Sequence, residues 1–439
     1  MTTRLTRSAT PRLAVIIHGH VAGHVFAAAN RRLVFRYSEA WQATAGAIPL
    51  SVSMPLAAVE HGHRAISAWL WGVLPDNPVV IERWARAFGT PRHDVVQLLL
   101  RVGEDCAGAV QLVAPDRVGD LLGAPTAAEE RSQIEWLTVR EVESLLTGLR
   151  QDPAAGRTRA GSGQFSLAGA QPKTALYESP RRRWGIPRGR VPSNRILKPP
   201  VLDLADLAWN EHACLKLARA LGLAASSSRV QRFGREITIV VERFDRLRMQ
   251  GVLRRIHQED ACQALAVMPT RKYEADGGPG AVDVTTLLSR YSSAPEVDAA
   301  RFLDAMMFNW LIGGTDAHAK NFALLHGTPG EVRLAPLYDV ISALPYPSLG
   351  GTPRSLAMAI HGERAIDRID SSHWRGLARS VGFEPSLVLD RLVDLSARLP
   401  DAVDRVIADH DADPAAGAIV ARLLNPVVAH AQRCRLRLR

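Results

Sequence analysis

The period of the apolar residues changes near residue 258, and this constrains the architecture more than any other feature of the chain. Upstream, short segments carry β-branched and aromatic residues with partial alternation, the mark of half-buried strands. RRLVFRY (Arg31 to Tyr37) and IPLSVSM (Ile48 to Met54) are two of them. Helix signals lie between. NPVVIERWARAFG starts on Asn77 and Pro78, a cap and first-turn pair, and ends near Gly89, while HDVVQLLLRVGED follows Pro91. Thr138 and Glu141 form a capping-box pair ahead of Val142, Leu145, Leu146 and Leu149 at helical spacing. Strand-like KTALYE, NRILKPP and EITIVVERF accompany a helical DLADLAWNEHACLKLARALG. From about residue 258 helical periodicity prevails. In AARFLDAMMFNWLIGG it sets Leu303, Met307, Trp310 and Leu311 on one face. The expected architecture is a small mixed lobe followed by a mostly helical one, with the Gly-, Ala-, Pro- and Glu-rich stretch Val118 to Gln133 as a linker. No fixed-period repeat is visible.

The chain has 439 residues, 47% of them hydrophobic, enough for two or three domains with substantial cores. No apolar run approaches the roughly 18 residues of a membrane span, and the amino terminus lacks the apolar stretch and cleavage pattern of a secretory leader, so a cytoplasmic, membrane-free protein is expected. Cys106, Cys214, Cys262 and Cys434 lie far apart with no CxxC pair, which argues for reduced structural thiols. A formal charge of +10, mostly from arginine, favours a polyanionic partner unless it is spread over solvated surface.

The chemistry concentrates in NWLIGGTDAHAKNFALL, Asn309 to Leu325, where a hydrophobic run meets a dense polar cluster. Asp316 and Asn321 have the Asp-x4-Asn spacing of a kinase catalytic loop, whose Asp takes the acceptor hydroxyl's proton and whose Asn holds Mg²⁺. Asp339, in LAPLYDVISA, supplies a second hard oxygen ligand. Lys320 is placed to neutralise a transferring phosphoryl group, and His318 to orient the loop through a backbone hydrogen bond.

Other segments leave alternatives open. GSGQFSLAGAQPKTAL, with Gly161, Gly163 and Gly169, is either a flexible linker or a cover for phosphates, since it matches neither a Walker A loop nor G-x-G-x-x-G. Lys198 in RILKPP is either a solvent-facing strand residue or a phosphate contact, with Glu211 as its candidate partner. The basic run Arg181 to Arg190 reads as a solvated insertion or a docking surface rather than a nucleic-acid site. His18, His20, His24, His61 and His63 lack the carboxylate or cysteine that would complete a metal-ligand spacing.

Taken together, SLAGAQPKTAL, RILKPP, VVERFDR, YEADGGPG, NWLIGGTDAHAKNF and LAPLYDVISA resemble the HipA family of serine/threonine kinases, toxins of type II toxin–antitoxin modules. LPDNPVVIERWARAFGT resembles that family's amino-terminal subdomain, so the likeness spans nearly the whole chain. It implies an α+β, kinase-like two-lobed fold divided as 1–125 (amino-terminal subdomain), 126–250 (kinase N-lobe with the phosphate-binding loop) and 251–439 (helical C-lobe). It also implies ATP and Mg²⁺, with Asp316 as base assisted by Lys320 and with Asn321 and Asp339 as metal ligands. Lys198 then contacts the ATP phosphates, and Ala168, Gly169, Ala170, Gln171 and Lys173 form the phosphate cover. Glu242 and Phe244 contact adenine, with His318 and Tyr338 also at the nucleotide. Ser166 takes the position of the family's inactivating autophosphorylation site, with Ser162 a secondary candidate. Implied partners are a helix-turn-helix antitoxin (HipB-like), operator DNA through that complex, and a protein substrate such as an aminoacyl-tRNA synthetase, the glutamate enzyme foremost. The competing readings are a catalytically weak co-repressor and a small-molecule kinase, which shares the Asp-x4-Asn loop.

Overall fold

The structure, a computed structural model, describes residues 11–28, 32–154, 165–201, 204, 206–327, 330–346, 354–410 and 413–438. The chain forms two compact units. Residues 1–199, 232–270 and 323–332 make the first, and 200–231, 271–322 and 333–439 the second.

The first unit opens with an antiparallel sheet in the order β4-β3-β2-β1-β5, built from β1 (Pro11–Ile17), β2 (His20–Ala27), β3 (Leu33–Tyr37), β4 (Glu60–His61) and β5 (Val110–Val113). Strand β1 is apolar without alternation because both its faces are covered. Leu13, Val15 and Ile17 join the main core with Trp69, Trp84 and Leu99, whereas Ala14 and Ile16 pack with Val113 and Leu121. The helix Pro78–Phe88 is capped as its sequence indicates, by the Asn77 side chain at one end and left-handed Gly89 at the other. The helix Val95–Val102 starts on the Asp94 carboxylate.

IPLSVSM is not a strand. Its inward residues are buried, but Ser51 and Met54 close a tight turn. The backbone groups are satisfied by buried side chains: the Tyr37 hydroxyl accepts from Leu50 N and donates to the Met54 carbonyl, and Glu259 accepts from Val52 N at 2.8 Å. Partial alternation therefore reported burial, not a ladder.

The expected linker is also ordered. Pro115–Leu121 forms a 3₁₀ helix and Glu129–Ser132 a short α-helix. The Glu130 carboxylate is buried and accepts from the Tyr177 hydroxyl (3.0 Å), Arg248 (3.1 Å) and Leu253 N. Few apolar residues are needed where polar groups do the anchoring.

A second sheet contains, in spatial order, the strand Glu236–Glu242, β9 (Arg195–Lys198), β7 (Thr174–Glu178), β8 (Trp184–Pro187) and β6 (Ile134–Leu137). The helix Val139–Gln151, begun by the Thr138–Glu141 capping box, buries Val142 and Leu146 against Leu176, Trp184, Leu197 and Val240. The basic run falls on the β7–β8 turn and beyond. Its Arg182, Arg188 and Arg190 pair with Glu178, Glu135 and Glu129, and the Arg183 guanidinium lies 4.3 Å from the Trp136 ring centroid.

VVERFDR supplies a buried charge cluster. Arg243 bonds Asp245, Arg246 bonds both Asp245 and Asp105, and Arg255 bonds Asp105. Burial alone pushes the Asp105 carboxyl up, but Arg246, Arg243 and Arg255 together hold it well below the usual carboxylate range.

The second unit is mainly helical. The helix Pro295–Ile312 exposes its first turns but is buried on all sides from residue 305 on; Phe302, Met306 and Phe308 are as hidden as Leu303, Met307, Trp310 and Leu311, so one apolar face understates it. Trp310 meets Trp374 of the helix Ser371–Ser380, ring centroids 5.7 Å apart, and its carbonyl accepts from His430 Nε2 in the helix Pro414–Leu436. The sequence after residue 258 is not wholly helical: Ser355–Ile360 pairs with Glu363–Ala365, and in the first unit His257–Asp260 pairs with Ala323–His326. These strands are too short to impose a period on their surroundings.

Candidate active site

The buried helix Pro295–Ile312 is stopped by two glycines. Gly313 is left-handed (φ 62°), and a Cβ there would lie 2.6 Å from Leu344 Cγ; one on Gly314 would lie 2.4 Å from Asn309 Oδ1. The chain then closes a compact loop. His318 N donates to the Asp316 carbonyl at 2.9 Å, Asn321 N donates to the His318 carbonyl at 2.9 Å, and Asn321 Nδ2 donates to the Asp316 carbonyl at 2.8 Å. His318, Lys320 and Asn321 are buried, whereas Asp316 is exposed at the turn. The bonds at His318 run through its own backbone N–H and carbonyl, and its ring lies edge-on to Tyr273.

Asp339 is held beside this loop in a conformation that L-residues avoid, φ 56°. Its neighbours pin it. The Tyr338 hydroxyl donates to the Lys320 carbonyl at 2.6 Å, and Leu337 exchanges backbone bonds with Ala224 and Ser226. Ser342 is gripped by the Asn210 side chain through two bonds of 2.8 and 2.9 Å and donates its hydroxyl to the Ile312 carbonyl. Asp316, His318, Lys320, Asn321, Tyr338 and Asp339 are thus gathered in the second unit.

This donor set fits Mg²⁺. With its Nδ2 committed to Asp316, Asn321 presents an amide oxygen, and Asp339 on the adjoining segment adds a carboxylate, both hard oxygen ligands.

The remaining candidates, Glu211 apart, belong to the first unit. Ser166 is fully buried, its hydroxyl donating to the Val73 carbonyl at 2.9 Å and its N–H to the Asp105 carbonyl at 3.1 Å. Ala168, Gly169, Ala170 and Gln171 form an open loop closed by Lys173 Nζ, which donates to the Ala168 carbonyl at 2.6 Å. Gly169 has φ 101°, which favours glycine, and its carbonyl accepts from Asp76 N at 3.3 Å. Lys198 is buried on β9 opposite Ile239, so it is not a solvent-facing strand residue. Glu242 is exposed and pairs with Arg195 at 3.3 Å, and Phe244 is half-buried in the following turn. Glu211 is buried on the helix Leu207–Ala220 of the second unit. Gly161, Ser162 and Gly163 lie outside the described residues.

Spacing arguments missed Tyr273, whose hydroxyl donates to Asp316 Oδ1 at 2.6 Å. The only sequence signal was its place in YEADGGPG. They also missed the roles of Asp105, Arg243 and Arg246. Among the described residues no helix is long and apolar enough to cross a membrane, and no three or more His, Cys, Asp or Glu side chains group to hold a metal.

Residues 13–113 match the HipA N-terminal domain and residues 165–403 the HipA-like C-terminal domain. The chain is 34% identical over 397 residues to the protein Y4mE of Sinorhizobium fredii, covering 89% of this chain and 90% of that one. It is 29% identical over 386 residues to the serine/threonine-protein kinase toxin HipA of Shewanella oneidensis, covering 84% and 83%. The solved Shewanella oneidensis HipA, in complex with HipB and operator DNA, superposes with a TM-score of 0.80 at 25% identity over 96% of this chain and 97% of that one. The expected α+β, kinase-like fold is borne out, and the chain belongs to the HipA family.

Proposed function

We propose that the chain is a Mg-ATP-dependent serine/threonine protein kinase and the toxin of a HipBA-like toxin–antitoxin module. The observation that carries this reading is one exposed carboxylate, Asp316, on a loop where His318, Lys320 and Asn321 are buried, with the strained Asp339 alongside. Asp316 orients the acceptor hydroxyl and takes its proton, and Lys320 contributes positive charge from within the loop. Asn321 and Asp339 would hold the metal, which would supply positive charge to neutralise the nucleotide phosphates. Lys198 contacts the α- and β-phosphates, Ala168 to Lys173 cover them, and Glu242 and Phe244 meet the adenine, with His318 and Tyr338 completing the nucleotide contacts. The work is positioning and electrostatics rather than covalent chemistry.

Ser166 is the site of inactivating autophosphorylation in this reading. Because its hydroxyl is buried, the segment must leave its seat before it can be modified. The partners are a HipB-like helix-turn-helix antitoxin and, through it, operator DNA, where the chain acts as co-repressor; the solved Shewanella oneidensis complex is the support. The protein substrate is a translation factor, with an aminoacyl-tRNA synthetase such as glutamate-tRNA ligase the first to test. We keep the functional division 1–125, 126–250 and 251–439.

The test is Asp316→Ala. It should abolish phosphoryl transfer while Mg-ATP binding and the melting temperature stay close to wild type. Transfer at the wild-type rate would refute the kinase assignment.

A further inference from the structure

The loop that carries Asp316 is fastened to a second segment of the same unit at three points. Ala319 N donates to the Lys272 carbonyl at 3.2 Å. The Tyr273 and His318 rings meet edge-on, centroids 5.0 Å apart and planes at 82°. The Tyr273 hydroxyl donates to Asp316 Oδ1 at 2.6 Å.

The segment holding the phenol is itself braced. Asp276 N and Gly278 N both donate to the Tyr273 carbonyl, at 3.1 and 2.9 Å, and the Arg271 guanidinium donates to the Gly277 carbonyl at 2.8 Å. The Glu274 carboxylate accepts from Ala359 N in the strand Ser355–Ile360. YEADGGPG thus builds a fixed mount for one aromatic ring.

An aspartate carboxylate turns about a broad, roughly two-fold torsion, so an exposed one presents either oxygen in a range of directions. Asp316 is exposed, and packing does not set that torsion. A short bond from a braced phenol does. It engages Oδ1 and leaves Oδ2 outside that bond.

We propose that Tyr273 is a positioning residue for phosphoryl transfer, fixing the Asp316 carboxylate so that Oδ2 meets the acceptor hydroxyl. The inference rests on the reading of Asp316 as the base. In the step it serves, the acceptor oxygen bonds to the γ-phosphorus as the bond to the ADP bridging oxygen breaks. The hydroxyl proton passes to Asp316 and then to solvent, and Tyr273 keeps its own proton throughout.

The test is Tyr273→Phe in the full chain, which retains the ring against His318 and removes only the donor. Incorporation of label from γ-labelled Mg-ATP is followed under single-turnover conditions at varied ATP, with Asp316→Ala alongside. The expected result is a maximal rate lowered about 10- to 100-fold, half-saturating ATP within about twofold of wild type, and an unchanged melting temperature. A wild-type maximal rate overturns the inference. So does a faster one, which would mean that the phenol occupies the acceptor's place, or a loss that acts only by raising half-saturating ATP. If Tyr273→Phe lowers the melting temperature, Tyr273→His decides, since it returns a ring donor: recovery of rate relative to Phe supports the role and none overturns it. Transfer by Asp316→Ala at the wild-type rate would refute the kinase reading itself, whereas silence there with full activity in Tyr273→Phe refutes only the role of Tyr273.

Discussion

Ser166 has no room for a phosphate where it sits. Its hydroxyl is wholly buried and its partner, the Val73 carbonyl, is an acceptor that would repel an added anion. The docked segment is held by two backbone bonds, Ser166 N to Asp105 and Asp76 N to Gly169, worth about 1 kcal/mol each. Burial of Phe165 and Leu167 adds about 2 kcal/mol apiece. Docking is thus worth roughly 6 kcal/mol. A phosphoserine brings close to two negative charges at neutral pH. Burying each unpaired charge costs several kcal/mol, so the docked phosphoserine is penalised by about 10 kcal/mol. The margin of about 4 kcal/mol favours the undocked segment by roughly a thousandfold. The perturbation is a phosphoserine encoded at position 166, which makes the test independent of kinase activity, and the assay is amide hydrogen exchange. The Ser166 and Asp76 amides should lose protection together while the amides of β1 keep theirs. Equal protection at both amides with and without the phosphate would refute the reasoning.

Asp105→Asn leaves three buried arginines facing one carboxylate and should destabilise the first unit by about 3–5 kcal/mol, read from urea midpoints; unchanged stability would show that the cluster does not depend on this charge. Burial pushes the His430 imidazole down to about 4 from 6.5. Because the folded value lies below the unfolded one, the unfolded chain takes the proton first, so the contribution is whole above about pH 6.5 and is lost as pH falls toward 4, about 3 kcal/mol in all. Urea midpoints at pH 7 and 4.5 should show wild type losing more stability than His430→Asn, and equal losses would contradict the assignment.

What could be read in the sequence was local. The helix Pro78–Phe88 announces itself through Asn77 and Gly89, the helix Val139–Gln151 through Thr138 and Glu141, and the polar loop through the spacing of Asp316 and Asn321. What could not be read is made by partners distant in the chain. Tyr273 reaches Asp316 across 43 residues, Glu130 meets Tyr177 across 47, and Arg246 meets Asp105 across 141. Such pairs leave no periodic trace, because one polar residue suffices at each end. IPLSVSM fails for a related reason: its backbone bonds go to the side chains of Tyr37 and Glu259, which lie outside the segment.

The central claim is phosphoryl transfer directed by Asp316, and intact mass tests it most directly. Dephosphorylated wild type and Asp316→Ala are weighed before and after incubation with Mg-ATP, and any modified residue is mapped. The account predicts a gain of one phosphate on wild type, mapped to Ser166, and none on the variant. The same gain on Asp316→Ala, or none on either protein, would contradict it.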